Sequence, residues 1–98
     1  MNTTIEALRA AALKPEPKMI RVLRRLMRGP LHRFEAQNQP IGDSVLNSTI
    51  SELRKKGFAI QSTLIDLPGH GGEIARVALY ELAPESRARA SALTGEAP

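Results

Sequence analysis

Four small polar side chains recur in the middle of the chain, mostly at spacings of three and four residues. A helix over this stretch would present them on one face. Their hydroxyl and amide groups donate and accept hydrogen bonds, and they are short enough to let a helix come close to another surface. Such a set is suited to recognition by hydrogen bonding. Its members are Ser44, Asn47, Ser48 and Ser51.

Cationic side chains flank this set along the sequence. Guanidinium, ammonium and imidazolium groups bind phosphate oxygens, so the flanking cations are candidate phosphate contacts. They are Arg33, Arg54, Lys55, His70 and Arg76. A plainer interpretation stays open for some of them. Arg54 and Lys55 could simply complement the C-terminal dipole of a helix, and His70 could be an exposed turn residue.

Residues for covalent or metal chemistry are missing or isolated. The chain has no cysteine, which excludes disulfides, thiolate nucleophiles and zinc fingers. His32 and His70 belong to no cluster with metal-ligand spacing. Glu35 and Asp43 could be imagined as an acid pair, but helix surfaces and caps routinely carry such carboxylates. We therefore expect no enzymatic activity, no metal and no cofactor.

The elements that would position the candidate residues begin with two helices. Apolar spacing predicts a helix over 17–28, with Pro17 in its first turn and Gly29 after its end. This helix leaves four arginines on its outer face, which could bind a polyanion or simply be solvated. A shorter helix is predicted over 31–37. Its expected inward residues are Leu31, Phe34 and Ala36.

A third helix, predicted over 44–56, carries the polar set. The stretch 38–43 before it has the composition of a turn, and Asp43 or Ser44 is expected to cap the helix. Gly57 marks its end. The residues expected to face the core recur at helical spacing and are Leu46, Ile50 and Leu53.

The residue pattern changes after Gly57. The segments 58–67 and 73–82 are rich in β-branched residues and predict two strands. The proline and glycines of 68–72 predict a hairpin tip between them. Three helices followed by a two-stranded hairpin make an α+β fold with winged helix-turn-helix topology, in which the hairpin is the wing.

The two ends of the chain are expected to lie outside this domain of residues 17–83. An additional helix is predicted over 4–13, followed by a proline-containing connector that completes the segment 1–16. This leading helix could pack on the domain, pair with another chain or fray. The segment 84–98 has little to bury and is expected to be a flexible tail, either disordered or a frayed helix.

Between Ile20 and Leu82 the chain resembles small winged helix-turn-helix proteins of bacteriophages and prophages. It departs from their usual pattern at Asn38-Gln39-Pro40 in the turn and in its longer, glycine-rich wing. The residues that carry the resemblance are Leu23, Leu26, Gly29, Leu31, Glu35, Ala36, Leu46, Ile50, Leu53, Arg54, Gly57, Ile60, Ser62, Thr63, Tyr80 and Leu82.

Topology, charge and resemblance together predict a protein that binds duplex DNA, either a regulator or an accessory factor in a DNA transaction. Residues 1–28 carry seven basic and two acidic side chains, and the whole chain has a formal charge of +4. We expect base contacts from the polar set and phosphate contacts from the flanking cations. A homodimer is expected to supply additional contacts. No segment resembles a signal peptide or a membrane span, so we expect a cytoplasmic protein with no membrane partner.

A second class of function stays open, in which the same fold binds a protein. A phage protein of this kind could inhibit a host complex that handles nucleic acids. The outer face of the helix over 44–56 distinguishes the two classes. An open polar and cationic face favours DNA, whereas an exposed apolar patch that includes Val45 or Ile41 favours a protein partner.

Overall fold

The computed structural model describes residues 16–97, and the predicted helix over 4–13 therefore lies outside the described residues. Helices and strands alternate with short turns in this part of the chain. The elements are α1 (Lys18–Leu26), α2 (Arg33–Ala36), α3 (Leu46–Lys55), β1 (Ile60–Pro68), a 3-10 turn (His70–Gly72), β2 (Ile74–Leu82), a second 3-10 turn (Pro84–Ser86) and α4 (Arg87–Thr94).

The core is aliphatic and lies between α1, α3 and the base of the hairpin. Leu23 and Leu26 of α1 are almost completely buried, and so is the predicted stripe of α3. That stripe consists of Leu46, Ile50 and Leu53, each with 1% of its surface exposed. The helical spacing of these residues therefore identified the buried face of α3 correctly.

The hairpin is confirmed as an antiparallel pair of nine-residue strands, with Ile60 opposite Leu82 at its base and Pro68 opposite Ile74 at its tip. Most of its side chains are exposed or half-buried, so the hairpin projects from the core as a wing. The predicted α+β winged-helix fold is thus the observed one.

The second predicted helix is shorter than expected. Leu31 is not helical: its N–H donates to the Tyr80 carbonyl at 2.9 Å, and the Tyr80 N–H donates back at 2.8 Å. This single bridge places Leu31 beside β2, on the side opposite β1, at the base of the wing. His32 then caps α2, since its Nδ1 accepts the N–H of Glu35 at 3.3 Å. Phe34 was expected to face inward and is only half-buried.

The expectation of a flexible tail over 84–98 is wrong for the described part of that segment. A 3-10 turn leads into α4, which packs against α1 and buries Ala90 completely. The Ser86 hydroxyl accepts the N–H of Ala59 at 2.8 Å, and Arg87 donates to the Met27 carbonyl at 2.7 Å. Small residues can fill a shallow gap between elements, which is why a segment poor in large apolar residues still packs.

Substitutions on two faces of α4 test this packing. We expect Ala90→Leu to lower the free energy of unfolding by about 1–3 kcal/mol, because a fully buried position has no room for a larger side chain. The control is Ala92→Leu at an exposed position of the same helix, where we expect a change within about 0.5 kcal/mol. Urea denaturation measures both. Equal midpoints for the two variants would contradict a packed α4.

Candidate nucleic-acid interface

A buried carboxylate, that of Asp43, holds the beginning of α3. Its Oδ1 accepts the N–H of Val45 at 2.9 Å, and its Oδ2 accepts the hydroxyl of Thr49 at 2.6 Å. The ammonium of Lys18 on α1 lies 3.5 Å from Oδ1. Asp43 therefore joins the turn before α3 to the helix and to α1. The N-cap position itself is Val45, which makes no side-chain cap hydrogen bond, so the prediction of a cap at Asp43 or Ser44 is wrong.

The surroundings of Asp43 favour its ionised form. Burial is the largest single influence and by itself would raise the pKa of Asp43. The hydrogen bonds from Thr49 and Val45 and the charge of Lys18 together outweigh it. The pKa of Asp43 is consequently below its ordinary value, and the carboxylate is charged at neutral pH.

The turn between α2 and α3 is tied to its neighbours by backbone atoms. The N–H of Asp43 donates to the Ala36 carbonyl at 2.7 Å, and Arg21 of α1 donates through Nε to the Ile41 carbonyl at 2.9 Å. Gly42 has φ +63°, and a Cβ there would lie 3.1 Å from the Gln39 amide nitrogen. A glycine suits this position on both grounds.

All four members of the polar set are exposed. Asn47, Ser48 and Ser51 lie on the face of α3 opposite its buried stripe, with Lys55 one turn beyond Ser51. Ser44 precedes the helix, because α3 begins at Leu46 rather than at residue 44. Within residues 16–97, no side-chain hydrogen bond engages the polar set, so its donors and acceptors face solvent.

Arg54 has a structural role that its sequence position did not reveal. Its Nε and Nη2 both donate to the Ile60 carbonyl, at 3.1 and 2.7 Å, and its guanidinium lies 5.9 Å from the centre of the Tyr80 ring. Arg54 therefore links the last turn of α3 to the base of the wing. Three of its five N–H donors remain for a phosphate. Lys55 and Lys56 are exposed.

Four of the predicted site residues meet at one groove. This groove, of about 300 Å³, lies between α2, the beginning of α3 and β2. Arg33, Ser44, Asn47 and Arg76 contribute its polar lining, and its apolar lining includes Leu46 and Ala78. The structure thus brings two cations from distant parts of the sequence to the end of α3 where the polar set begins.

The wing carries less positive charge than its predicted role suggested. Arg76 forms an ion pair with Asp66 directly across the hairpin, with Nε 3.0 Å from Oδ1. Residues 58–82 contain one basic and three acidic side chains. His70 lies in the 3-10 turn at the tip. The wing also exposes two large apolar side chains, Leu64 and Ile74, to 67% and 70%.

Exposed apolar residues beside the outer face of α3 were expected to favour a protein partner over DNA, and only one of the two candidates is exposed. Val45 is 46% exposed beside the polar set, whereas Ile41 is buried. The other exposed residues of α3 are polar or charged, and they include one carboxylate, Glu52, besides the cations. An isolated exposed valine is ordinary on a protein surface and makes no apolar patch by itself.

The arginines of α1 and of the turn that follows it are mostly engaged within the domain. Arg25 pairs with Glu35 of α2, and Glu96 beyond α4 pairs with both Arg24 and Arg28, at 3.4 and 2.8 Å. The hydrogen bond from Arg28, supported by the charge of that arginine, in turn holds the pKa of Glu96 below its ordinary value. This face of α1 is largely neutralised, so it is a poor candidate for the main polyanion contact.

The described residues contain neither a metal-binding cluster nor a membrane-spanning helix. Between residues 16 and 97, no three histidine or carboxylate side chains lie close enough together to hold a metal ion. No helix in that same part is long and apolar enough to cross a membrane.

Comparison with known proteins gives a structural likeness. The chain is similar to the circadian clock associated protein Pex from Anabaena, with a TM-score of 0.57 and 22% sequence identity. The match covers 93% of this chain and 89% of Pex. No protein-family model matches the chain, and no curated protein matches it significantly. At this identity the likeness supports the fold.

Substitution of Asp43 tests how α3 is held. We expect Asp43→Asn to lower the free energy of unfolding at pH 7 by about 1–3 kcal/mol, because a charged acceptor buried among three donors is lost. The exposed carboxylate of Asp66 provides the control, and Asp66→Asn should change stability by less than about 0.5 kcal/mol. Urea denaturation at neutral pH measures both.

The same carboxylate predicts a dependence of stability on pH. Since the folded protein lowers the pKa of Asp43, its contribution is present above the unfolded value of about 3.9 and disappears as the pH falls through the folded value. The stability difference between wild type and Asp43→Asn should therefore shrink below about pH 4. A difference that stays constant from pH 7 down to pH 2 would contradict an ionised, stabilising Asp43.

Proposed function

We propose that this protein binds duplex DNA by placing the exposed face of α3 in the major groove, and that it acts by occupying a site rather than by catalysis. The observation that carries the proposal is the open stripe of Asn47, Ser48, Ser51 and Lys55 on a helix whose two ends are held by Asp43 and Arg54.

The dimensions and chemistry of α3 suit a groove. The major groove of B-DNA is about 12 Å wide and admits one α-helix, provided that the facing side chains are short. The amide of Asn47 can make a two-point contact with adenine, and the hydroxyls of Ser48 and Ser51 can contact several bases. Ser44 would lie where α3 enters the groove. These four are the proposed base contacts.

Phosphate contacts would surround the base contacts. Lys55 and Lys56 at the end of α3 are exposed, and Arg54 retains free donors beside them. Arg33 lies at the opposite end, beside the beginning of α3. Arg76 and His70 on the wing complete the proposed set. One domain makes few such contacts, so we propose that a homodimer supplies the rest.

The biological setting is a further part of the proposal. The resemblance to prophage helix-turn-helix proteins supports a transcriptional regulator or an accessory factor in a DNA transaction. Pex is described as associated with the circadian clock, and its likeness to this chain supports the winged-helix fold on which the proposal rests. The proposed place of action is the cytoplasm, where DNA is accessible to a bacterial or phage protein.

A protein partner is the second candidate function. The exposed Leu64 and Ile74 on the wing, together with Val45, favour it, because large apolar side chains in the open often mark protein contacts. In this alternative the chain would inhibit a host complex that handles nucleic acids, and the wing would be the contact surface. Mutation of the α3 face and of the wing therefore separates the two candidates.

A salt titration of DNA binding tests the proposal directly. We expect the affinity for a mixed-sequence duplex, measured by fluorescence anisotropy, to fall steeply with salt, and the log–log slope to be shallower by about 0.9 in Lys55→Ala because one phosphate contact is lost. Arg28→Ala removes the same charge from the turn after α1 and should leave the slope unchanged. Absence of binding at micromolar protein and low salt would refute the proposal.

A charge placed on the α3 face tests the docking geometry. We expect Ser51→Glu to weaken DNA binding by at least about tenfold, since a carboxylate would face bases and phosphates at close range. Ala92→Glu adds the same charge at an exposed position of α4 and should change affinity by less than about twofold. Circular dichroism and urea midpoints verify that both variants fold. Equal DNA affinities of the two variants would contradict the placement of α3 in the major groove.

A further inference from the structure

The groove between α2, α3 and the wing suggests how one particular phosphate is held. We infer that this groove binds a single phosphodiester group of the DNA backbone between Arg33 and Arg76, and that Asp66 competes with that phosphate for Arg76. The inference rests on the proposed function. It adds to that function a phosphate subsite and a carboxylate, Asp66, that lowers the affinity of this subsite for the phosphate.

The lining of the groove fits a phosphate. Two guanidinium groups contribute from different elements, Arg33 from α2 and Arg76 from β2, while the Ser44 hydroxyl and the Asn47 amide provide neutral donors. The volume of about 300 Å³ is roughly ten times the 30 Å³ that one water occupies in the liquid. A phosphate with part of its hydration shell can therefore enter.

Arg33 is available to such a ligand. Its side chain is exposed, and within residues 16–97 it forms no salt bridge. Its guanidinium lies 5.0 Å from the centre of the Phe34 ring, which restricts its position without neutralising its charge. Among the arginines of the first two helices, it differs in this respect from Arg24, Arg25 and Arg28, whose charges are paired.

The ion pair between Arg76 and Asp66 is weak. Both side chains of the pair are more than half exposed, at 69% and 53%, and exposed ion pairs contribute little to stability. A phosphate offers Arg76 a bidentate partner, which is the stronger kind of contact. Asp66 opposes that exchange in two ways, because it occupies the guanidinium and because its own charge repels the phosphate.

Arg76 is the residue of the wing best suited to bind a phosphate, because the other charged residues of the wing are acidic. The other residues of the strands and their connection that carry a charge at neutral pH, His70 aside, are the acidic Asp66, Glu73 and Glu81. A backbone lying along the whole wing would meet these carboxylates. A phosphate at the groove instead meets the one arginine of the wing beside Arg33, close to the beginning of α3 where the proposed base contacts start.

Removal of the competing carboxylate is the decisive experiment. DNA binding is measured by fluorescence anisotropy on a mixed-sequence duplex of about 30 base pairs over a series of salt concentrations. We expect Asp66→Asn to bind about three to ten times more tightly at low salt, with a salt slope steeper by up to about 0.9, because Arg76 becomes free for a phosphate. Glu85→Gln makes the same charge change at an exposed residue outside the groove and should have less than about a twofold effect.

Two further variants link the gain to the groove. Adding Arg76→Ala to Asp66→Asn should abolish the gain, and Arg33→Ala alone should make the salt slope shallower by about 0.9, whereas Arg28→Ala should not. Urea midpoints equal to that of wild type verify that these exposed substitutions leave the fold intact.

The outcomes separate the inference from the function on which it rests. If wild type binds DNA and Ser51→Glu weakens that binding, but Asp66→Asn and Arg33→Ala behave like wild type, the phosphate subsite is refuted and the α3 interface stands. If Asp66→Asn and Glu85→Gln tighten binding equally, the effect is one of net charge and the competition is refuted. If wild type binds no duplex, both the function and the subsite fail.

Discussion

The structure depends on one buried charge, the carboxylate of Asp43. An ionised group that is removed from water is costly unless donors surround it, and here a backbone N–H, a hydroxyl and an ammonium do so. These donors belong to the first turns of α3 and to α1. The requirement to satisfy this carboxylate therefore sets where α3 begins and how it lies on α1, and thus how its outer face is presented.

The other end of α3 is held by contacts with the wing and with α4. Arg54 reaches the carbonyl of Ile60 at the base of the wing, and Arg89 of α4 lies over the Phe58 ring, 4.7 Å from its centre. Gly57 fits this arrangement, because a Cβ there would lie 2.6 Å from the Arg89 guanidinium. With both ends fixed, α3 can present a rigid surface, and a rigid surface loses less entropy on binding.

Basic residues in this chain serve two different purposes. Arg24, Arg25 and Arg28, in and just after α1, form ion pairs with Glu16, Glu35 and Glu96 and act mainly within the domain. Those that remain open, Arg33 and Lys55 among them, lie at the two ends of the exposed face of α3. The net positive charge of the chain therefore favours a polyanion partner only through the unpaired cations around that face, which are the basis of the proposed function.

The sequence by itself determined the local elements and their inward faces, because helical and alternating patterns record burial directly. It predicted the stripe of Leu46, Ile50 and Leu53, the exposure of the polar set and the order of helices and wing. Only the tertiary structure decided which charges are paired and whether α4 packs. Those depend on contacts between residues far apart in the chain, such as Glu96 with Arg28, and on the hairpin register that sets Asp66 opposite Arg76. No local pattern encodes such contacts, since they follow from how whole elements meet.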